Sequence, residues 1–239
     1  MLRDVIRKMF FPEDIKCIIC DGELEEKTRF GVCNNCSFDL NTKFCLHCGR
    51  NIGHNHANFC VECMNSKSKN YDLARAPVIF TNNAVHLIHK LKYGGAKYLV
   101  PYIAEHLFAC FLENNINVDY VTCVPMHEKR KKERGYNQAE LIAKHFSKIS
   151  NIEYVDTLKR VKYTTNLARM SKQERSVSIS GVFEFCANVD LKGKNVLLID
   201  DVFTSGSTVD ECARILKSKR VNSVNVLTFA TAKEKPILY

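Results

Sequence analysis

Two neighbouring carboxylates, Asp200 and Asp201, close the apolar run Val196-Leu197-Leu198-Ile199, and Val202-Phe203 leads from them into Thr204-Ser205-Gly206-Ser207-Thr208. Carboxylates at such a place accept hydrogen bonds from sugar hydroxyls or reach a hard cation such as magnesium. The hydroxyl-and-glycine turn precedes an amphipathic stretch, Thr208 to Leu216, with Val209, Cys212, Ala213 and Leu216 on one face. A helix start offers unpaired N–H groups and a partial positive charge. Gly206 lets the backbone approach a ligand closely, the Thr and Ser hydroxyls add donors, and the result is a cup for a phosphate. Ser207 is placed to cap the helix, with Asp210 three residues on. The turn has no lysine, so it is not a P-loop, and no G-x-G-x-x-G follows a strand. A phosphate cup beside two diol-binding acids describes a ribose 5-phosphate site. The competing reading is a plain strand–turn–helix with two solvated acids, but charges at the end of a buried strand need partners.

The second group of chemically able residues is four C-x-x-C pairs: Cys17 and Cys20, Cys33 and Cys36, Cys45 and Cys48, Cys60 and Cys63. Each knuckle turns two thiolates toward one ion, and two knuckles complete a tetrahedron, so eight ligands imply two structural zinc sites. The gaps between pairs are 12, 8 and 11 residues. The longer gaps can fold as hairpins, which groups Cys17, Cys20, Cys33 and Cys36 on one ion and Cys45, Cys48, Cys60 and Cys63 on the other. A cross-braced pairing stays open. Redox C-x-x-C pairs usually come singly beside a βαβ unit, which argues against that use. Sulfur fills every position, so neither site leaves room for catalysis, and His47, His54 and His56 are expected to be solvated. Cys110, Cys123, Cys186 and Cys212 fall in apolar elements and read as small core residues.

The elements that must position these groups follow from the pattern. Met1 to Phe11 reads as a short amphipathic helix, and residues 65–70 as a polar linker. This divides the chain into a small cysteine-rich domain, 1–70, and a larger domain, 71–239. In the second, strands are expected over Ala76 to Thr81, Val118 to Pro125, Val155 to Val161, Gly181 to Cys186 and Ser223 to Thr231. Helices are expected over Ala84 to Lys92, with Asn83 as cap, over Pro101 to Asn114 and over Ala139 to Ile149. Val124-Pro125-Met126-His127 ends one strand and runs into a basic loop with Lys129, Arg130, Lys131, Lys132 and Arg134. Open α/β sheets bind anions at the C-terminal ends of their strands, so this loop and the Asp200 turn should open on one edge. Residues 162–180 hold Arg169, Lys172 and Arg175 without clear periodicity, as a lid would.

The chain has 239 residues, 35 Lys and Arg against 26 Asp and Glu, and 12 cysteines. The basic balance favours phosphate-rich partners without deciding among them. The start is too short and charged for a signal segment, and the most apolar long run, Leu99 to Leu112, is interrupted by Glu105 and His106. The expectation is a cytoplasmic protein with no membrane insertion, whose thiols stay reduced.

These stretches resemble a known family. The Asp200 to Thr208 segment is similar to the phosphoribosyl pyrophosphate (PRPP) motif of type I phosphoribosyltransferases. Phe11-Pro12, the four knuckles with Cys48-Gly49, Leu87-Ile88-His89, Leu91-Lys92-Tyr93-Gly94, Val124-Pro125-Met126-His127 and Arg134-Gly135-Tyr136-Asn137-Gln138 resemble the ComF family, in its ComFC branch. The resemblance covers essentially the whole length. It implies an α/β type I phosphoribosyltransferase fold, with a mostly parallel sheet flanked by helices, behind an N-terminal double zinc ribbon. It further implies PRPP bound with its 5-phosphate on Thr204, Ser205, Gly206, Ser207 and Thr208, and its ribose hydroxyls on Asp200 and Asp201. Mg2+ would bridge sugar and pyrophosphate. Pro125, Met126 and His127 would form the pyrophosphate loop, with Arg130, Arg134, Arg169 and Arg175 as neutralising cations. Where relatives carry glutamine and asparagine in the lid, this chain has Leu167 and Ser178, while Thr164 and Glu174-Arg175 persist.

Three functions fit. The first is a phosphoribosyltransferase of unassigned acceptor, linked to competence and the uptake or processing of single-stranded DNA. The second is a non-catalytic module that senses PRPP or nucleotides, or an adaptor for single-stranded DNA or a competence helicase. The lid departures favour this one, and Phe30, Phe38, Phe44 and Phe59 in the ribbons could stack bases. The third is nucleobase salvage, which has no use for zinc ribbons.

Overall fold

The computed structural model describes residues 16–24, 30–53, 57–65, 69–163 and 181–234. The expected helix over Met1 to Phe11 and the lid residues 164–180 lie outside them, as do His54 and His56. In chain order the elements are α1 (Val61–Asn65), β1 (Leu73–Arg75), β2 (Val78–Ile79) and α2 (Asn82–Tyr93). A short 3-10 turn (Lys97–Leu99) opens into α3 (Val100–Glu113), followed by β3 (Tyr120–Cys123), α4 (Glu128–Arg134) and α5 (Gln138–Ser150). Then come β4 (Glu153–Tyr154), β5 (Leu158–Arg160), β6 (Phe183–Phe185), β7 (Asn195–Phe203), α6 (Ser207–Ser218) and β8 (Ser223–Thr231).

The main sheet runs β1-β8-β7-β3-β4, with β2 also on β8, and every pairing in it is parallel. A parallel sheet is buried on both faces, which is why β7 and β8 read as near-continuous apolar runs. Leu197 and Ile199 of β7 pack with α2, α3 and α5 on one face, while Val196 and Leu198 pack with Val209, Cys212, Ala213 and Leu216 of α6 on the other. The cysteine-rich segment divides between these faces. Cys17, Ile19 and Cys36 join the first cluster, and Cys45, Cys48 and Cys60 join the second beside Tyr71. Both groups of cysteines are therefore built into the packing of the sheet.

Helix placement follows the apolar spacing, and most of the discrepancies have local causes. Pro101 stands in the first turn of α3, where its missing N–H is not needed. The strand expected over Ala76 to Thr81 shrinks to Val78–Ile79, because Pro77 cannot donate to a ladder, and Leu73–Arg75 pairs ahead of it. The strand expected over Val155 to Val161 is split: its start lies beside β4, and Leu158–Arg160 leaves the main sheet to pair antiparallel with β6. The basic stretch is a helix, α4, rather than a loop. Its Lys, Arg and Glu residues are good helix formers, His127 Nδ1 accepts from Lys129 N (3.1 Å) at its start, and Gly135 at φ 85° ends it. Asn83 does not cap α2: Thr81 holds the cap position and Asn83 Nδ2 donates to Ser37 O at 2.9 Å. Ser207 likewise is the first helical residue of α6, and the cap position is Gly206 at φ 77°.

Candidate functional site

Asp200 and Asp201 lie inside β7, which runs on to Phe203 instead of ending at the acids. β3 stops pairing with β7 at Cys123 opposite Ile199, so from Asp200 onward β7 pairs with β8 alone. The freed backbone is taken up by the acids. Asp200 Oδ1 accepts from Asp201 N (2.9 Å), and Asp201 Oδ1 accepts from Val202 N (3.0 Å). The alternation of side chains slips here, since Phe203 packs with Val196 and Leu198 and not with Leu197 and Ile199.

Asp201 is buried and its Oδ2 accepts an ion pair from Lys92 and a 3.5 Å bond from Gln138 Nε2. Asp200 is half-buried. Burial, and then the charge of Asp201, hold its carboxyl well above the usual range against the opposing pull of Lys92. Lys92 is the cation ion-paired with these two adjacent acids among the described residues, and a divalent ion or the hydroxyls of a sugar would relieve the remaining acid.

Thr204, Ser205 and Gly206 connect β7 to α6. In this loop Gly206 combines a positive φ with tight packing that demands glycine: an added Cβ would lie 2.5 Å from Phe203 Cζ. Ser205 Oγ lies 3.0 Å from Ser207 Oγ and accepts from Ser207 N at 3.4 Å. Thr204 precedes this pair in the chain, and Thr208 follows it in the first turn of a 12-residue helix. That arrangement can receive a phosphate.

Val124 N donates to Ile199 O (2.9 Å), so the chain that follows β3 leaves the sheet beside the acids, on the expected edge. Pro125 is buried, Met126 and His127 are half-buried, Arg130 is exposed and Arg134 half-buried. Burial and the charge of Arg130 hold Arg134 below its ordinary range, and they act on Arg160 in the same direction. These guanidiniums share one neighbourhood, to which Asp200 also couples through Arg160. Arg169 and Arg175 lie outside the described residues.

The stretch Arg134-Gly135-Tyr136-Asn137-Gln138 is the scaffold of this corner. Tyr136 Oη donates to Leu91 O next to Lys92, Asn137 Nδ2 donates to Val124 O (3.0 Å), and Asn137 Oδ1 accepts from Ala139 N (3.1 Å). Gln138 Oε1 accepts from Arg134 (2.6 Å) while its Nε2 reaches Asp201. Lys92 and Gln138 thus belong to the site, although composition and spacing did not single them out. Their signal was in Leu91-Lys92-Tyr93-Gly94 and the stretch ending in Gln138, which the sequence offered only as family markers.

The eight knuckle cysteines form two groups, Cys17, Cys20, Cys33 and Cys36, and Cys45, Cys48, Cys60 and Cys63, with sulfurs within 4.8 Å of one another in each. This is the sequential pairing. Sulfurs on a tetrahedral zinc with bonds of about 2.3 Å stand roughly 3.8 Å apart. Cys20 and Cys33 are 3.7 Å apart and Cys48 and Cys60 3.6 Å, so both groups fit structural zinc. Against the burial that opposes it, N–H groups of Cys33, Cys20 and Ile19 bring the Cys17 thiol down to about 6. The Cys48 thiol, followed by nearby N–H groups, brings Cys45 down to about 4. His47 is not simply solvated. Its ring stacks on Tyr71 at 5.2 Å, Nε2 lies 3.3 Å from Tyr71 O, and Nδ1 lies 3.7 Å from Cys63 Sγ. Phe30 and Phe38 pack on Tyr102 and Phe44 lies under Arg75, which leaves Phe59 as the exposed ring of the four. Cys110, Cys123 and Cys212 are buried, and Cys186 is half-buried. Among the described residues no helix is long and apolar enough to cross a membrane.

Comparison with known proteins adds to this geometry. A family model described as phosphoribosyl transferase domain matches residues 103–238, and one described as PHF5-like protein matches residues 5–91. Competence protein F of Haemophilus influenzae is 25% identical over 227 residues, which cover 92% of this chain and 98% of that protein. DNA utilization protein YhgH of Escherichia coli K12 is 24% identical over 206 residues, covering 83% and 89%. Among solved structures, a glutamine PRPP amidotransferase of B. subtilis aligns over 60% of this chain and 28% of that chain, at 19% identity and a TM-score of 0.39.

Proposed function

Because the chain belongs to the phosphoribosyl transferase domain family, and joins that domain to two cysteine clusters in the ComFC-like plan, we propose that it binds PRPP at the C-terminal edge of the sheet. The observation that carries this reading is the pair Asp200 and Asp201, separated by Val202 and Phe203 from the loop that opens α6. Thr204 to Thr208 receive the 5-phosphate on backbone N–H and hydroxyl groups. Asp200 and Asp201 accept from the ribose hydroxyls. The same two carboxylates would hold magnesium brought with PRPP, which would supply charge neutralisation to the leaving pyrophosphate. Pro125, Met126 and His127 line the leaving-group side, and Arg130 and Arg134 supply positive charge there, with Arg169 and Arg175 assigned to the lid. Bond breaking at the anomeric carbon builds positive charge on the sugar and negative charge on the leaving pyrophosphate. The chain's part is to hold these charges in place and exclude water.

The division into residues 1–70 and 71–239 belongs to the same proposal, with the first part as a structural double zinc ribbon. The competence link follows from the names of the full-length relatives, one a competence protein and one a DNA utilization protein.

PRPP turnover with a panel of bases, with and without Mg2+, tests the reading. Pyrophosphate release that disappears in Asp200→Asn and Asp201→Asn supports transfer. Tight PRPP binding without release points to a sensing module. Absence of binding in the wild-type chain ends the proposal.

A second reading, single-stranded DNA binding, rests on cations set against aromatic rings. Lys129 Nζ stands 4.8 Å over the Tyr163 ring and Arg134 5.1 Å over the Tyr93 ring, while Tyr93 is 64% and Tyr98 57% exposed. Cations interleaved with exposed rings suit a strand whose phosphates and bases are both engaged. Affinity that falls with salt supports this reading, and a slope near zero sinks it. A competence helicase as partner remains part of this second reading.

A further inference from the structure

Arg50 comes from the second cysteine cluster, yet its guanidinium reaches the phosphate loop. Its Nη2 donates to the carbonyl oxygen of Thr204 at 3.0 Å, and its Nη1 is paired with Glu62 Oε2 at 2.9 Å. Both partners of that pair are set by the cluster. Arg50 lies two residues after Cys48, and Glu62 lies between Cys60 and Cys63. The side chains are 13% and 14% exposed, so the pair is held by packing as well as by charge.

A trans peptide points its C=O and its following N–H in opposite directions. Tying the Thr204 carbonyl to Arg50 therefore fixes the direction of the Ser205 N–H on the far side of the same plane. Other contacts from the cysteine-rich side close around this loop. The Tyr71 ring meets the Phe203 ring edge-on at 6.1 Å, Asn70 N donates to Asp210 Oδ1 at 2.7 Å in the first turn of α6, and Val61 N donates to Glu234 Oε1 at 2.7 Å just beyond β8. Arg50 is the member of this set that grips the loop backbone itself.

The geometry points to Arg50 as a positioning residue of the phosphate loop, through which the Cys45, Cys48, Cys60 and Cys63 cluster sets that loop's readiness for a phosphate. This rests on the reading of residues 204–208 as the 5-phosphate site. The metal-bound knuckles hold the Arg50–Glu62 fork, the fork holds the Thr204 carbonyl, and the carbonyl holds the amide that faces the ligand. This hydrogen bond then couples the cluster to the loop backbone, and the cluster acts on binding without touching the ligand.

The test uses the full chain as wild type, Arg50→Met, Arg50→Lys and Glu62→Gln, with zinc content, amide hydrogen exchange across residues 203–210 and PRPP affinity measured on each. In Arg50→Met, with zinc retained, exchange at Ser205 to Ser207 should quicken about tenfold. PRPP affinity should fall about tenfold, the usual worth of a charged hydrogen bond. Arg50→Lys, which keeps a donor but not the fork, should recover part of both. Wild-type exchange and affinity in Arg50→Met, with zinc retained, would overturn the role. Should Arg50→Met lose its zinc, Glu62→Gln decides, since it spares Arg50 and every cysteine: faster loop exchange supports the role and unchanged exchange overturns it. If wild-type protein binds no PRPP, the functional reading falls by itself, while the exchange rates still judge Arg50.

Discussion

Lys92, in the last turns of α2, is ion-paired with Asp201 in β7, so the helix that follows the cysteine-rich segment supplies the counter-charge for the candidate site. Asp201 is almost fully enclosed while Lys92 is 24% exposed. Removing the lysine leaves a buried charge without its cation, and such losses exceed the net worth of the pair. Removing the acid leaves a lysine that can extend toward water.

The pair therefore predicts unequal single variants. Lys92→Met should lower stability by about 2–3 kcal/mol and Asp201→Asn by about 1 kcal/mol or less. Adding Asp201→Asn to Lys92→Met should recover much of the first loss. Urea denaturation of the four proteins at fixed zinc measures this, and additive losses would show that the pair is not coupled in the folded protein.

Asp200 gives a pH prediction. Its carboxyl is held well above the usual range, first by burial and then by Asp201. An unfolded Asp titrates near about 3.9. Between that value and the raised folded value the folded chain binds the proton more tightly, so this residue makes stability fall as pH rises. Asp200→Asn removes the effect. It should be more stable than wild type at neutral pH, and each kcal/mol gained should raise the melting temperature by about 2–4 °C. The gain should vanish below about pH 4. The same variant should lose PRPP binding, as expected where a site is held at the expense of stability. Thermal melts at several pH values check the first claim, and a gain that persists in acid would refute its cause.

Much of this arrangement was legible in the sequence, for physical reasons. β8 and α6 announce themselves by a long apolar run and by apolar residues at helical spacing, and Ser223–Thr231 falls where the pattern put it. The cysteine pairing was legible because loop length limits which knuckles can meet. What spacing does not encode is contact between distant segments. Arg50 meets Thr204 across 154 positions and Gln138 meets Asp201 across 63, so neither could be assigned from local pattern. The continuation of β7 through the acids was missed for a related reason: carboxylates look like a strand end unless the neighbour that takes their charge is known.

The cysteine groups predict about two zinc ions per chain. Cys45→Ser should lose one of them and keep the other, because the groups lie on opposite faces of the sheet and share no sulfur. Binding supplies folding free energy, so a chelator should lower the melting temperature sharply. Metal analysis together with melting curves checks both, and a wild-type chain that melts identically with and without chelator would exclude a structural metal.

Gly49 and Gly53 offer a paired test of how the second cluster is docked. Both have positive φ, 67° and 61°. An added Cβ at Gly49 would lie 2.4 Å from the backbone oxygen of Ala74 in β1, whereas at Gly53 nothing lies within 4 Å. Gly49→Ala must then bear the left-handed strain and also push the knuckle off the strand, at about 3 kcal/mol, while Gly53→Ala bears the strain alone, at about 1 kcal/mol. Gly49 also separates Cys48 from Arg50, and its carbonyl accepts from Asn41 Nδ2 at 2.8 Å, so displacing it should carry Arg50 away from Thr204. Gly49→Ala should therefore weaken PRPP binding in step with its loss of stability, and Gly53→Ala should leave binding near the wild-type value. Denaturation and binding curves on the two variants decide it: equal losses of stability would mean that contact with Ala74 does not hold the cluster in place.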